Sequence, residues 1–279
     1  MRSSDVLRRH NVRRTGHGET TLLFAHGFGC DQAMWRAVAP AFAETHHVVT
    51  FDYLGHGGAE HADYDPLRHA TLHGYADDVL QIIEALAVGP VVFVGHSVSA
   101  TIGLLAAGRA PTRFERLALV APSPCFLDHP PEYRGGFARS DLEGLLEAME
   151  KNFDAWAESL APVVVGGGGP SPQSAELAAA FCRTDPRIAR DFARVTFLSD
   201  HRSDVPGVPV PALVMQCSDD ALAPAAVGEW LAAQLPRGTL HRMQAWCHCP
   251  HLTHPEETVA VLRAWLDAPA DAPRRVPPA

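Results

Sequence analysis

Gly95-His96-Ser97-Val98-Ser99 follows the apolar run Val91–Val94 and leads into a small-residue helical pattern, Ser99–Gly108. A serine between strand and helix in a Gly-x-Ser-x-Gly pattern marks a strained turn that lifts a nucleophilic hydroxyl above a sheet edge. The second glycine of the pattern is Ser99 here, a small residue that still lets helix pack closely on strand. A serine hydroxyl attacks a carbonyl only when a base takes its proton and a carboxylate holds that base in the right tautomer. For a turn of this kind the chain order is Ser, then Asp or Glu, then His. After Ser97, the run Ala212–Cys217 is followed by Asp219 and Asp220, and the run Leu240–Ala245 by His248. Both positions lie just past strand C-termini, where open α/β sheets place their sites. Spacing does not separate Asp219 from Asp220. Among the histidines it favours His248; His254 is placed to cap a helix starting at Pro255, and His251 suits packing beneath the loop.

Acyl transfer develops an oxyanion that needs two preorganised backbone donors. The amide of Val98, next after the serine, supplies one. The loop His26-Gly27-Phe28-Gly29, after the run Thr21–Phe24, points to the Phe28 amide as the second. Two other strings invite comparison and fail. Phe51-Asp52-Tyr53-Leu54-Gly55-His56-Gly57-Gly58 lacks dinucleotide-fingerprint spacing and reads as a structural turn. Cys247-His248-Cys249-Pro250-His251-Leu252-Thr253-His254 places its cysteines too close for the usual tetrahedral zinc pattern, and no second such cluster completes a site. No nucleotide or metal cofactor is expected.

The elements that must position these residues alternate. Short apolar runs (Thr21–Phe24, Val48–Asp52, Val91–Val94, Leu117–Val120, Ala212–Cys217, Leu240–Ala245) are separated by helical patterns such as Tyr75–Leu86. That rhythm predicts an α/β fold with a mostly parallel sheet covered on both faces. It breaks once, between Val120 and Ala212, where only Pro162–Val165 is strand-like. Helical patterns fill the gap at Asp141–Asn152, Phe153–Leu160, Ser174–Phe181 and Ile188–Leu198. A structureless connection of that length is improbable, so residues 124–206 are expected as a helical cap inserted between core segments 1–123 and 207–266. Gly166–Gly169 reads as a joint within the cap, and 267–279 as a disordered tail.

With 23 Lys and Arg against 32 Asp and Glu, the net charge of −9 repels phosphate backbones and anionic lipid surfaces. Neither nucleic acid nor membrane is an expected partner, and the short basic cluster Arg8, Arg9, Arg13 and Arg14 reads as a solvated strand or turn. No apolar run approaches the roughly 18 residues of a membrane span, and no signal-peptide pattern opens the chain. Six scattered cysteines do not form a disulfide framework. A cytoplasmic protein with reduced thiols is expected.

These features together resemble the α/β-hydrolases, and more narrowly the RsbQ-type bacterial stress regulators, which are similar to the plant strigolactone and karrikin receptors. The resemblance runs from about Asn11 to Leu266. It rests on His26-Gly-Phe-Gly-Cys-Asp-Gln32, Phe51-Asp-Tyr53, Gly95-His-Ser-Val98, Pro122-Ser-Pro-Cys125, Pro130-Pro-Glu-Tyr-Arg-Gly-Gly-Phe137, Ser199-Asp-His-Arg202 and His248-Cys-Pro-His251. It implies an α/β-hydrolase fold with a four-helix cap over an apolar pocket, Ser97 as nucleophile, Asp220 as orienting acid, His248 as base, and Phe28 and Val98 as oxyanion donors. The expected pocket lining is Phe28, Phe126, Phe137, Trp156 and Phe197. Ser99 and Cys247 depart from the family pattern, which has glycine at both. The implied activity is hydrolysis of a small apolar ester or lactone. The competing reading is a ligand-binding signalling protein that regulates a PAS-domain partner with little or no turnover.

Overall fold

The structure is a computed structural model and describes residues 2–167 and 169–269. Its strands are β1 (Arg13–Thr15), β2 (Thr21–Ala25), β3 (His47–Phe51), β4 (Val91–His96), β5 (Phe114–Val120), β6 (Ala212–Gln216) and β7 (Gly238–Arg242). Its helices are α1 (Ser3–Arg9), α2 (Leu72–Leu86), α3 (Val98–Arg109), α4 (Arg139–Lys151), α5 (Phe153–Val165), α6 (Pro172–Arg183), α7 (Pro186–Phe197), α8 (Ala225–Gln234), α9 (Pro250–Thr253) and α10 (Pro255–Asp267). The seven strands form one sheet in the order β1-β3-β2-β4-β5-β6-β7. Only β1 runs antiparallel to its neighbour.

Alternation of side chains across the strands divides the core in two. Leu23, Val49, Val91, Phe93, Leu117, Leu119 and Val214 pack against α1, α2, α3 and the Leu231 side of α8. Leu22, Phe24, Val48, Val92, Val94, Ala118 and Leu213 face the opposite layer, made by Trp35, Phe42 and α10. Both faces are covered, which is why the central strands read as unbroken apolar runs. A third cluster gathers the apolar faces of α4–α7, all of which lie between β5 and β6. Phe28 touches both the sheet core and this third cluster, at the seam between them.

Several expectations are corrected. Val163–Val165, with Pro162, is the last turns of α5 and not a strand; a short β-branched apolar run does not by itself distinguish the two. β7 ends at Arg242, earlier than the apolar pattern up to Ala245 indicates. β1 is an exposed three-residue edge with no apolar alternation, and the basic cluster is shared between it and α1. Of the Gly166–Gly169 joint, Gly168 lies outside the described residues, as does most of the 267–279 tail, whose first residue closes α10. Among the described residues no helix is long and apolar enough to cross a membrane.

Candidate active site

The chain winds outward in one direction through β2 and β3 and in the other through β4 to β7. The crevice above the β2/β4 reversal is where sheets of this kind hold ligands. Ser97 stands there, between β4 and α3, with φ 56° and ψ −121°. A non-glycine residue in such a conformation costs on the order of 1–3 kcal/mol. The turn is held by the Ser97 amide, which donates to the Val120 carbonyl at 2.8 Å. It also needs Gly95, where a Cβ would lie 2.6 Å from the Ser99 carbonyl oxygen.

Ser97 Oγ lies 2.7 Å from His248 Nε2, and His248 Nδ1 lies 2.8 and 3.0 Å from the two oxygens of Asp220. Nδ1 faces the carboxylate and therefore carries the imidazole proton, leaving Nε2 to accept from the serine. Asp220 is itself anchored, because Oδ1 accepts from the amides of Leu222 at 2.9 Å and Ala223 at 3.0 Å. Asp219 points to solvent while Asp220 is buried. The alternative left open by spacing is thus separated by which way the turn after β6 faces.

His248 is fixed through its backbone from two sides. Its amide donates to the Val164 carbonyl at the end of α5, 3.0 Å away, and its carbonyl accepts from His96 Nε2 at 2.8 Å. The other His96 nitrogen is buried beside Gly27, where a Cβ would come within 2.4 Å, so glycine is required for the two loops to meet. His251 is packed between Trp35 and His96, with ring centroids 4.5 and 4.4 Å apart. His254 occupies the residue before α10, but its side chain makes no cap bond and meets the Thr253 hydroxyl.

The two departures from the family pattern have local explanations. The buried Ser99 hydroxyl donates to the His26 carbonyl and lies 2.9 Å from the Tyr53 hydroxyl. It thereby ties α3 to the loop carrying Phe28, a link glycine cannot make. Cys247 turns its thiol to the Thr253 hydroxyl at 2.7 Å, and burial raises its pKa. Asp52 accepts from the Gln32 and Gly58 amides and from the Asn11 and Gln32 side chains. The string read as a structural turn therefore braces the Phe28 loop. Among the described residues the Phe28 and Val98 amides have no backbone acceptor.

Above Ser97 lies a cavity of about 20 Å³ between the serine and α5, α6 and α7. That is room for roughly one water. Phe28 and Phe197 line it. Phe126, Phe137 and Trp156 do not: Phe126 backs Phe197 at 5.2 Å, Trp156 meets Phe28 edge-on at 6.1 Å, and Phe137 packs on the cap cluster. The wall positions fall instead to Leu160, Val164, Leu177, Phe181 and Leu222, which helical spacing marks only as apolar. Thr196 also lines the cavity, and its buried hydroxyl has no partner.

The histidines around the site set a pH limit on stability. Burial lowers the pKa of His26, His56, His96 and His251, for His56 and His251 to about 3. Below about pH 6.5 the unfolded chain takes up protons that the folded chain refuses, so stability is full above that pH and declines as pH falls towards 3. Each such group steepens the loss by up to about 1.4 kcal/mol per pH unit. The urea midpoint is expected to hold between pH 8 and 7 and to fall steeply from pH 6 to 5. A flat midpoint from pH 7 to 5 would show that these imidazoles are not held neutral.

The alpha/beta hydrolase family profile matches residues 22–261. The chain is 39% identical to the Karrikin insensitive 2 receptor CA of Petunia hybrida, over 91% of this chain and 94% of that one. It is 36% identical to a strigolactone esterase of Arabidopsis thaliana, over 95% and 99%. A solved hydrolase from Oleispira antarctica superposes with a TM-score of 0.94 at 40% identity, covering 96% of this chain and 98% of that one. The fold expected from the motifs, and their likeness to the plant strigolactone and karrikin receptors, are both borne out: the chain belongs to the alpha/beta hydrolase family.

Proposed function

We propose that the protein is a serine hydrolase of small, largely apolar carboxylic esters or lactones, acting in an RsbQ-like signalling role. The observation that carries this reading is the unbroken hydrogen-bond chain Asp220–His248–Ser97 at the floor of an apolar cavity. Ser97 Oγ attacks the carbonyl carbon as its proton passes to His248 Nε2. Asp220 holds the imidazole and stabilises the imidazolium. The amides of Phe28 and Val98 receive the oxyanion. The leaving oxygen takes the proton from His248, and a water, deprotonated by the same nitrogen, then attacks the acyl carbon and frees the acid and Ser97. Among apolar walls the one spare hydroxyl, Thr196, suits a substrate with a single further polar atom.

A p-nitrophenyl ester of a short acid is expected to give a stoichiometric burst of nitrophenol, with the acyl group recovered on Ser97 by mass spectrometry. Absence of both turnover and acyl-serine would rule the reading out.

The signalling half draws on relatives named both as receptor and as esterase and on a cavity walled by α5, α6 and α7. In this part of the proposal, a bound or slowly cleaved ligand alters the cap and through it a PAS-domain partner. Wild-type signalling by a Ser97→Ala protein would separate ligand binding from chemistry.

A further inference from the structure

Away from the serine, three side chains of different chemistry converge where the chain enters and leaves the four-helix segment. Cys125 Sγ lies 3.7 Å from His129 Nε2, and that nitrogen lies 3.7 Å from Asp200 Oδ2. All three ligand atoms fall within 4.8 Å of one another. A tetrahedral zinc-class ion with bonds of about 2.0–2.3 Å holds such donors about 3.4–3.6 Å apart, so the two pairs that share His129 are already near chelating distance and Cys125 and Asp200, within 4.8 Å, must draw together.

The backbone around the trio is already built. Cys125 pairs with Asp200 as an isolated bridge, and the His201 amide donates to the Pro124 carbonyl at 2.9 Å. His129 and Tyr133 exchange both backbone hydrogen bonds, closing the loop that presents the imidazole. The Tyr133 hydroxyl donates to the Cys125 carbonyl at 2.7 Å. The sulfur is buried while the imidazole and carboxylate are partly open, which leaves an entry path from solvent and a fourth position for water.

We propose that Cys125, His129 and Asp200 form a binding site for one divalent cation of the zinc class, fastening together the two chain crossings at the base of the cap. Ligation uses Cys125 as thiolate, its proton passing to solvent, together with neutral His129 Nε2 and Asp200 Oδ2. Arg202 now grips Asp200 with both arms of its guanidinium. It keeps the Nε bond to Oδ1 and gives up Oδ2 to the metal. No other cluster of three or more such ligands occurs among the described residues, which sets this site apart from the Cys247–His251 string.

Cobalt(II) is the probe, titrated into the reduced, metal-stripped full-length protein. The expected result is one equivalent bound with a thiolate-to-cobalt charge-transfer band. Cys125→Ser abolishes the band, His129→Ala weakens binding at least tenfold, and Cys182→Ser, at the exposed thiol, leaves both intact. Zinc is expected to slow hydrogen exchange of the His201 amide in wild type and not in His129→Ala. Absence of the band in wild type, or a band that survives His129→Ala at unchanged affinity, would overturn the site. Stoichiometric binding with unchanged exchange at His201 would overturn the fastening. Neither readout depends on ester hydrolysis, so the proposal and the assignment of Ser97 stand or fall separately.

Discussion

Ser97→Ala is expected to lower kcat for an activated ester by about 10⁴-fold or more and to abolish the acyl-enzyme, with the fold intact. Losses of that size follow removal of the nucleophile in hydrogen-bonded triads, and the residual rate comes from binding and oxyanion donors that the substitution leaves in place. The structure gives reasons to expect survival of the fold. The turn at position 97 is held by a backbone bond to Val120 and by Gly95. The serine side chain contributes one hydrogen bond, to His248. Circular dichroism and the urea midpoint of the variant check the fold, and steady-state kinetics with intact-protein mass spectrometry check the chemistry. Turnover within tenfold of wild type would move the nucleophile elsewhere.

The second large effect separates adjacent residues. Asp220→Asn is expected to reduce kcat by about 10⁴-fold, because an amide nitrogen facing Nδ1 favours the imidazole tautomer that can no longer accept the serine proton. The carboxamide oxygen of this variant can still accept from the Leu222 and Ala223 amides, so the turn after β6 keeps its shape. Asp219→Asn, at a solvent-facing carboxylate, is expected to change kcat less than about twofold. Equal losses from the two substitutions would place the orienting charge in the turn as a whole and not in the carboxylate that contacts His248.

The strained turn at Ser97 is legible in the sequence because its chemistry is local. A glycine, a serine and a small residue at fixed spacing between strand and helix impose their own geometry. Asp220 is not legible from spacing, since two carboxylates in succession differ only in how a turn rotates them. The resemblance, which places the orienting acid there, supplies what periodicity does not. The cap is legible as four amphipathic helices but not as a pocket wall. Phe126 and Phe197 are both buried aromatics of one cluster, yet helix packing puts Phe197 on the cavity and Phe126 behind it. The edge strands show the same limit, because β1 and the end of β7 lack the two-sided burial that makes the central strands readable.

The bond between the His248 amide and the Val164 carbonyl joins the last turn of a cap helix to the backbone of the imidazole. A shift of the C-terminal end of α5 is therefore felt directly at the backbone of His248. Any substitution or ligand that displaces that end of the helix is expected to alter the position of the imidazole together with the wall of the cavity that Val164 helps to line.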